Sequence, residues 1–370
     1  LEGDLLTFVD ALRCPVAVRS SSLLEDSHYQ PFAGIYNTYM VPYLDNHGRM
    51  LSMLCDAIKG VYASVYFKDS KAYMQATRNV IDEEKMAVVL QEVVGRRYGD
   101  HFYPNISGVG RSLNYYPLDD ERAEEGTVSL ALGLGKYIVD GGRTLRVCPA
   151  HPARVLQTSD TEMALRETQT RFCALDLKNM GENFSVDDGF NLLRLPVKVA
   201  DADGALQFIA STFNPTDQVI YPGLYPGGRK IISFVGVLEH DVVPLPQIMS
   251  EVLQMGEEAM RRPVEIEFAV EIDAKNRSCV FYLLQIRPMV DVRTEVNIDL
   301  SAIDPARVLL RSDNALGHGN FDDLTDVVYV KTDDYSAGNN PLIAEEIERL
   351  NAGFLAEGRH YVLIGPGRWG

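Results

Sequence analysis

The sequence predicts an α+β fold, and three observations carry that prediction. The apolar run Pro15-Val16-Ala17-Val18 reads as a strand that delivers Arg19 and the hydroxyls of Ser20, Ser21 and Ser22 at its end. Far along the chain, Glu265-Ile266-Glu267-Phe268 and Leu283-Leu284-Gln285-Ile286-Arg287-Pro288 alternate with period two, as half-buried strands do. Between them, apolar residues recur at helical spacing, as in Met50, Met53, Leu54, Ala57 and Ile58.

In chain order, residues 15–20 form the first strand, and Arg49 to Ala76 is mainly helical. The apolar density of residues 85–94 predicts a buried strand, and the aromatics and turn formers from Tyr98 to Asn105 predict a loop. Residues 127–134 read as a strand ending in a glycine loop. A weakly patterned stretch, about 150–215, holds helix-like Thr161 to Leu177 and strand-like Leu192 to Val199. Turn chemistry from Tyr221 to Lys230 leads into a strand from Ile231 to Val237. Pro246 to Arg261 is helical and precedes the acidic strand. The last residues form a small α/β segment: strand Val327 to Val330, helix Pro341 to Ala356, strand Tyr361 to Ile364, and a terminal turn from Gly365 to Gly370.

Composition narrows the function classes. The chain has 370 residues, enough for about two or three domains, and its hydrophobic fraction of 46% is ordinary for a packed core. A formal charge of −17 argues against nucleic acid or an anionic membrane as the main partner. Most of that acidity serves solubility, and a local cluster of cations can still bind an anion. Cysteines 14, 55, 148, 173 and 279 form no Cys-x-x-Cys pair, which reads as free thiols in a reducing cytoplasm. No run approaches a membrane span, and the start lacks a basic region followed by an apolar one. The expectation is a cytoplasmic protein.

Several residues suggest chemistry. A guanidinium and hydroxyls presented at a sheet edge, Arg19 with Ser20, suit phosphate oxygens, although a surface Arg before a Ser-rich turn gives the same pattern. Period two places Glu265 and Glu267 on one face of their strand, and Gln285 and Arg287 on one face of theirs. Paired carboxylates beside an amide and a guanidinium suit a magnesium-nucleotide site, because carboxylates hold hard cations and Arg neutralises phosphoryl charge. A half-exposed hairpin with cross-strand charge pairing fits equally well. Gly133 and Gly135 permit close approach to a ligand or simply a tight turn. Arg229 and Lys230 read as a solvated hairpin loop, and His318, between glycines, as a surface loop residue.

Five short motifs, in order, resemble the nucleotide-binding domain of phosphoenolpyruvate synthase and pyruvate phosphate dikinase. They are Val18-Arg19-Ser20-Ser21-Ser22 through Glu25-Asp26 to Phe32-Ala33-Gly34; Ala87 to Val94; Ser107-Gly108-Val109; Gly133-Leu134-Gly135; and the acidic hairpin. The resemblance covers roughly residues 15–290 and implies an ATP-grasp fold, with ATP and Mg2+ between two lobes. It implies that Arg19, Ser20, Gln285 and Arg287 contact phosphates, and that Glu265 and Glu267 face the metal. Gln91, Glu92 and Val94 are implied to lie beside the adenine, where backbone groups can read its edge, and Gly133, Gly135 and Lys136 to form the nucleotide-facing loop. The corresponding domains are residues 1–85, the N-terminal lobe; 86–295, the ATP-grasp lobe with hinge and metal-binding strands; and 296–370, an accessory α/β segment.

This sequence departs from the family pattern at several points. The family's phosphate-binding Gly-Gly-Lys lies upstream of Leu1, and its Gly-Leu-Gly-Glu reads Gly-Leu-Gly-Lys at Lys136. A nucleotide-contacting Arg after a Tyr is Met74 here, with Arg78 one helical turn later as a substitute. The context of His318 does not match the family's phosphohistidine motif. The expectation is therefore the ATP-binding part of a phosphotransferase of dikinase type, inactive alone, with further sequence on both sides and further domains in the same chain. A histidine outside this stretch would carry the phosphoryl group to a small-molecule acceptor, pyruvate foremost. The alternatives are a non-catalytic nucleotide-sensing module of a larger protein, or a dikinase with another acceptor such as a glucan or an antibiotic.

Overall fold

Residues 2–22, 25, 34–68, 70–71, 85–118, 120–178, 184–240, 242–273, 275–276, 278–289, 303–310, 324–331 and 340–365 are described in the computed structural model of the chain. They divide into two compact units, Leu1–Asp291 and Val292–Gly370.

The first unit begins with α1 (Glu2–Ala11), β1 (Val16–Ser22), β2 (Tyr39–Val41), α2 (His47–Ser64) and β3 (Met86–Glu92). β1 is the centre of an antiparallel sheet ordered β2-β1-β3, so this sheet joins strands from either side of residue 85. Period two gives β1 two faces: Val16 and Val18 pack with Met50, Leu54, Ala57 and Val61 of α2, while Ala17 enters a separate, larger core. α2 starts at His47, two residues earlier than expected, because the Asn46 side chain caps the amide of Arg49 at 2.9 Å. It ends at Ser64, whose carbonyl accepts from the Ser70 hydroxyl at 2.7 Å, and residues 68, 70 and 71 are helical again. Residues 72–76 lie outside the described set. β3 is not the buried strand its apolar density suggested. It is a sheet edge with one neighbour, so Val88 and Leu90 pack inward while Val89 is 45% exposed.

The expected loop at Tyr98–Asn105 is largely a hairpin. β4 (Arg96–Tyr98) and β5 (His101–Tyr103) pair across a two-residue Gly99-Asp100 turn, with Gly99 at φ 59°. Gly-Asp between aromatic runs is hairpin chemistry. There follow β6 (Ile106–Arg111), β7 (Thr127–Ala131), α3 (Lys136–Val139), β8 (Leu145–Val147), α4 (Thr161–Glu167), β9 (Arg171–Asp176), β10 (Leu192–Pro196) and α5 (Val197–Ala202). The helix expected from Thr161 to Leu177 thus stops at Glu167. Phe172 to Leu175 are buried as a continuous run in β9, which lies inside a sheet ordered β10-β9-β5-β4. The strand expected from Leu192 to Val199 ends at Pro196, the N-cap residue of α5.

A third sheet, ordered β12-β11-β13, contains β11 (Ala210–Asn214), β12 (Val219–Pro222) and β13 (Arg229–Ile232). The strand expected to reach Val237 stops at Ile232, where Phe234 adopts φ 51° and the chain turns into α6 (Val235–Leu238). α7 (Leu245–Met260) matches its expected span closely, and Arg261 ends it in the left-handed region at φ 54°. It leads to β14 (Val264–Asp273) and β15 (Ser278–Pro288). These two close a five-stranded antiparallel sheet ordered β15-β14-β6-β7-β8. α7 covers one face of it. Close approach there requires small residues: a Cβ on Gly110 would lie 2.5 Å from the Met249 methyl.

The second unit contains β16 (Leu324–Tyr329), α8 (Asn340–Glu357) and β17 (His360–Ile364), with β16 and β17 parallel around the helical crossover. This is the expected strand-helix-strand order. The whole is a mixed α+β chain, and no helix among the described residues is long and apolar enough to cross a membrane. All five cysteines are free thiols.

Candidate functional site

The face of the five-stranded sheet opposite α7 is polar, and strand register arranges it in rows. Arg287, Glu265, Arg111 and Thr127 lie opposite one another in one row, and Gln285, Glu267, Val109, Ser129 and Arg146 in the next. Side chains paired across antiparallel strands point the same way, so these residues share a face. Immediately beyond the second row the β14–β15 register shifts between Glu267 and Phe268, which leaves Leu284 without a strand partner.

The face of β1 that does not pack on α2 meets this polar face. Arg19 donates from Nη2 to Glu267 Oε2 at 2.8 Å and to Gln285 Oε1 at 2.5 Å, and from Nη1 to Gln91 Oε1 at 3.0 Å. Gln91 lies on the same face of β3 as Arg19 on β1, and its Nε2 donates to the Leu284 carbonyl at 3.0 Å. The carbonyl released by the register shift thus accepts the second half of the Gln91 amide. Sequence reasoning placed Gln91 beside an adenine; here its Oε1 accepts from Arg19 within the small sheet, and its Nε2 reaches across to the large one.

Glu265 is 8% exposed and held on both oxygens. Arg111 Nε donates to its Oε2 at 2.6 Å, and Arg287 Nε donates to its Oε1 at 2.9 Å, with a further contact from Arg287 Nη2. Burial alone raises its carboxyl pKa, but the guanidiniums of Arg287 and Arg111 outweigh that and hold it below the ordinary carboxylate range. The expectation that Glu265 faces a metal meets a different arrangement here, because both of its oxygens accept from guanidiniums. Glu267 keeps Oε1 without a hydrogen bond among the described residues. Mg2+ bound with a nucleotide takes one or two carboxylates together with phosphate oxygens, so Glu267 suits that role and Glu265 does not. No group of three or more metal-ligating side chains is found among the described residues. Arg111 was missed from sequence, although the alternation Val109-Gly110-Arg111 beside the noted Ser107-Gly108-Val109 was the available signal.

Other expected site residues make different contacts. Ser20 and Glu92 fall on the opposite faces of β1 and β3 from Arg19 and Gln91; the Ser20 hydroxyl donates to Glu25 at 3.0 Å. Val94 follows β3 and is half-buried. Gly133 adopts φ 90°, and a Cβ there would meet the Cys173 carbonyl at 2.5 Å, so its missing side chain accommodates the chain's own backbone. Gly135 precedes α3 in a helical conformation, and a Cβ on it would meet only Ser107 at 3.9 Å. Lys136 pairs with Asp140 at 2.7 Å and Asp188 at 3.2 Å; burial lowers its pKa, but these carboxylates dominate and raise it. Arg194 shares Asp140 at 2.6 Å. Asp26, Phe32, Ala33, Met74, Arg78 and His318 lie outside the described residues.

An open cavity of about 500 Å3 sits elsewhere, on the β11–β13 sheet, between Phe213, Tyr221, Tyr225 and Pro226. Its Asp217 already accepts from Asn214 at 2.7 Å and Tyr221 at 3.1 Å. The nearby Lys230 donates to the Tyr225 and Gly227 carbonyls. Its charges are therefore internally bonded, whereas on the polar face Arg111 keeps both terminal nitrogens without a hydrogen bond among the described residues.

The family model described as pyruvate phosphate dikinase, AMP/ATP-binding domain, matches residues 4–300. No curated protein matches the chain.

Proposed function

Because the chain belongs to the pyruvate phosphate dikinase AMP/ATP-binding domain family, we propose that it binds ATP in an ATP-grasp cleft, between the β1–β3 sheet and the polar face of the five-stranded sheet. Arg19 and Arg287 contact phosphate oxygens, Glu267 faces Mg2+ through Oε1, and the segment from Gln91 to Val94 borders the adenine. Mg2+ there neutralises phosphate charge. Residues 1–85 together with β3 act as one lobe, the rest of 86–295 as the other, and 296–370 as an accessory segment. The phosphoryl group passes to a histidine outside residues 1–370 and then to a small-molecule acceptor, pyruvate foremost.

What supports this reading is that Arg19, Gln91, Glu267 and Gln285, drawn from four strands, meet at one point within hydrogen-bonding distance. Such a constellation binds an anion by exchanging some of its internal bonds for bonds to phosphate oxygens. Calorimetric titration of the chain with ATP and Mg2+ tests it: saturable binding that Arg19→Met abolishes is expected, and absence of ATP binding by the wild type overturns it.

Lys136 favours a second reading, a nucleotide-sensing module. It stands where the resemblance expects Glu and is paired with Asp140 and Asp188. Retained ATP binding without phosphoryl transfer in the longest protein containing this chain separates the two.

A further inference from the structure

The row Arg287–Glu265–Arg111 holds two guanidiniums on one carboxylate. Together with the adjoining Arg19–Glu267 pair, these five residues set three guanidiniums against two carboxylates. That is a local cationic excess in a chain of net charge −17. The three arginines are not equivalent. Arg19 uses both terminal nitrogens within the protein, and Arg287 uses Nε and Nη2. Arg111 uses only Nε; among the described residues its two terminal nitrogens carry no hydrogen bond, and its side chain is 49% exposed.

A guanidinium fixed at Nε by a buried carboxylate has its orientation set, while its outer N–H groups remain available. This arrangement suits bidentate capture of a phosphate group, since little rotamer freedom is left to lose on binding. Glu265 also carries Arg287, so a ligand engaging Arg111 and Arg287 together spans one carboxylate that orients both.

We propose that Arg111 is an additional phosphate-contacting residue of this cleft, oriented by Glu265, and that the site's ligand is a polyphosphate chain bridging Arg111 and Arg287. The inference rests on the nucleotide-binding reading above and adds a residue to it. Glu265 is then a positioning residue, and Arg111 touches the ligand.

The test is titration of the full chain with ATP and, separately, with inorganic tripolyphosphate, comparing wild type with Arg111→Gln. A contact to phosphate predicts weakening of both ligands by a similar factor, about tenfold for one lost charged hydrogen-bond pair. Arg111→Lys should restore part of the loss, because it keeps the charge but not the fork. Unchanged affinity for both ligands in Arg111→Gln overturns the inference alone, leaving Arg111 as a solvated partner of Glu265. Loss of ATP affinity with unchanged tripolyphosphate affinity also overturns it. Wild-type protein that binds neither ligand overturns the nucleotide-binding reading itself and this inference with it. If Arg111→Gln fails to fold, the double variant Arg111→Met with Glu265→Gln removes the guanidinium together with the carboxylate charge, and the same similar-factor loss is expected of it.

Discussion

Arg19 and Glu267, separated by 248 positions in sequence, are joined by an ion pair of 2.8 Å between two different sheets. Gln285 and Gln91 complete the contact, so one guanidinium fastens β1 to β3, β14 and β15 at a single point. Both members of the ion pair are largely shielded from water. Removing one partner leaves the other with an incompletely compensated charge.

Arg19→Met is therefore expected to lower stability by about 2–4 kcal/mol, read from chemical denaturation. Glu267→Gln should cost less, about 1–2 kcal/mol, because the amide oxygen can still accept from Arg19. Equal and negligible effects in both variants would show that the contact between sheets carries no load.

The pH dependence of the Glu265 cluster has a definite sign. Its carboxyl pKa is depressed in the folded protein, despite burial, by Arg287 and Arg111. A depressed carboxylate contributes stability above its unfolded pKa, near 4.3, and loses it as pH falls through the folded value. The stability gap between wild type and Glu265→Gln should thus be full at neutral pH and shrink progressively below about pH 4. Denaturation curves over that range check it, and a gap that widens on acidification contradicts the ion-pair geometry.

How much of this was legible in the sequence differs from residue to residue. Period two alone put Glu265 with Glu267, and Gln285 with Arg287, on shared faces, and the register pairs them directly across the strands. The same rule, applied to β1, separates Ser20 from Arg19, yet both were expected at one ligand. The partners of Arg111 and the second role of Gln91 were out of reach for another reason. They depend on which strand neighbours which, and on a register shift at Glu267/Phe268 that frees the Leu284 carbonyl. Local pattern fixes a side chain's face but not its cross-strand neighbour. β9 misled for a related reason: a short apolar run is compatible with helix or strand until its sheet partners are known.

The glycine loop provides a paired prediction. Gly133→Ala combines φ 90° with a Cβ 2.5 Å from the Cys173 carbonyl, and should cost at least about 2 kcal/mol. Gly135→Ala, in a helical conformation with space for a Cβ, should change stability by less than about 1 kcal/mol. Thermal melts compare them. A Gly135→Ala protein that melts normally but loses ATP would place Gly135 against the nucleotide.

Lys136 is engaged by Asp140 and Asp188, so its charge is internally balanced. Lys136→Met should leave ATP affinity within about threefold of wild type, because no phosphate-facing charge is lost. Lys136→Glu, which sets a third carboxylate beside the two, should lower stability measurably. An affinity loss of tenfold or more in Lys136→Met would return this residue to the nucleotide site.

The location of the nucleotide is tested most directly by photolabelling the chain with 8-azido-ATP in the presence of Mg2+ and mapping the modified peptides by mass spectrometry. The predicted result is ATP-protectable labelling confined to the peptide containing Gln91 to Val94 or to those bearing β1 and β15, and its loss in Arg19→Met. Protectable labelling confined to the peptide spanning Thr212 to Gly228, around the tyrosine-lined cavity, would contradict it.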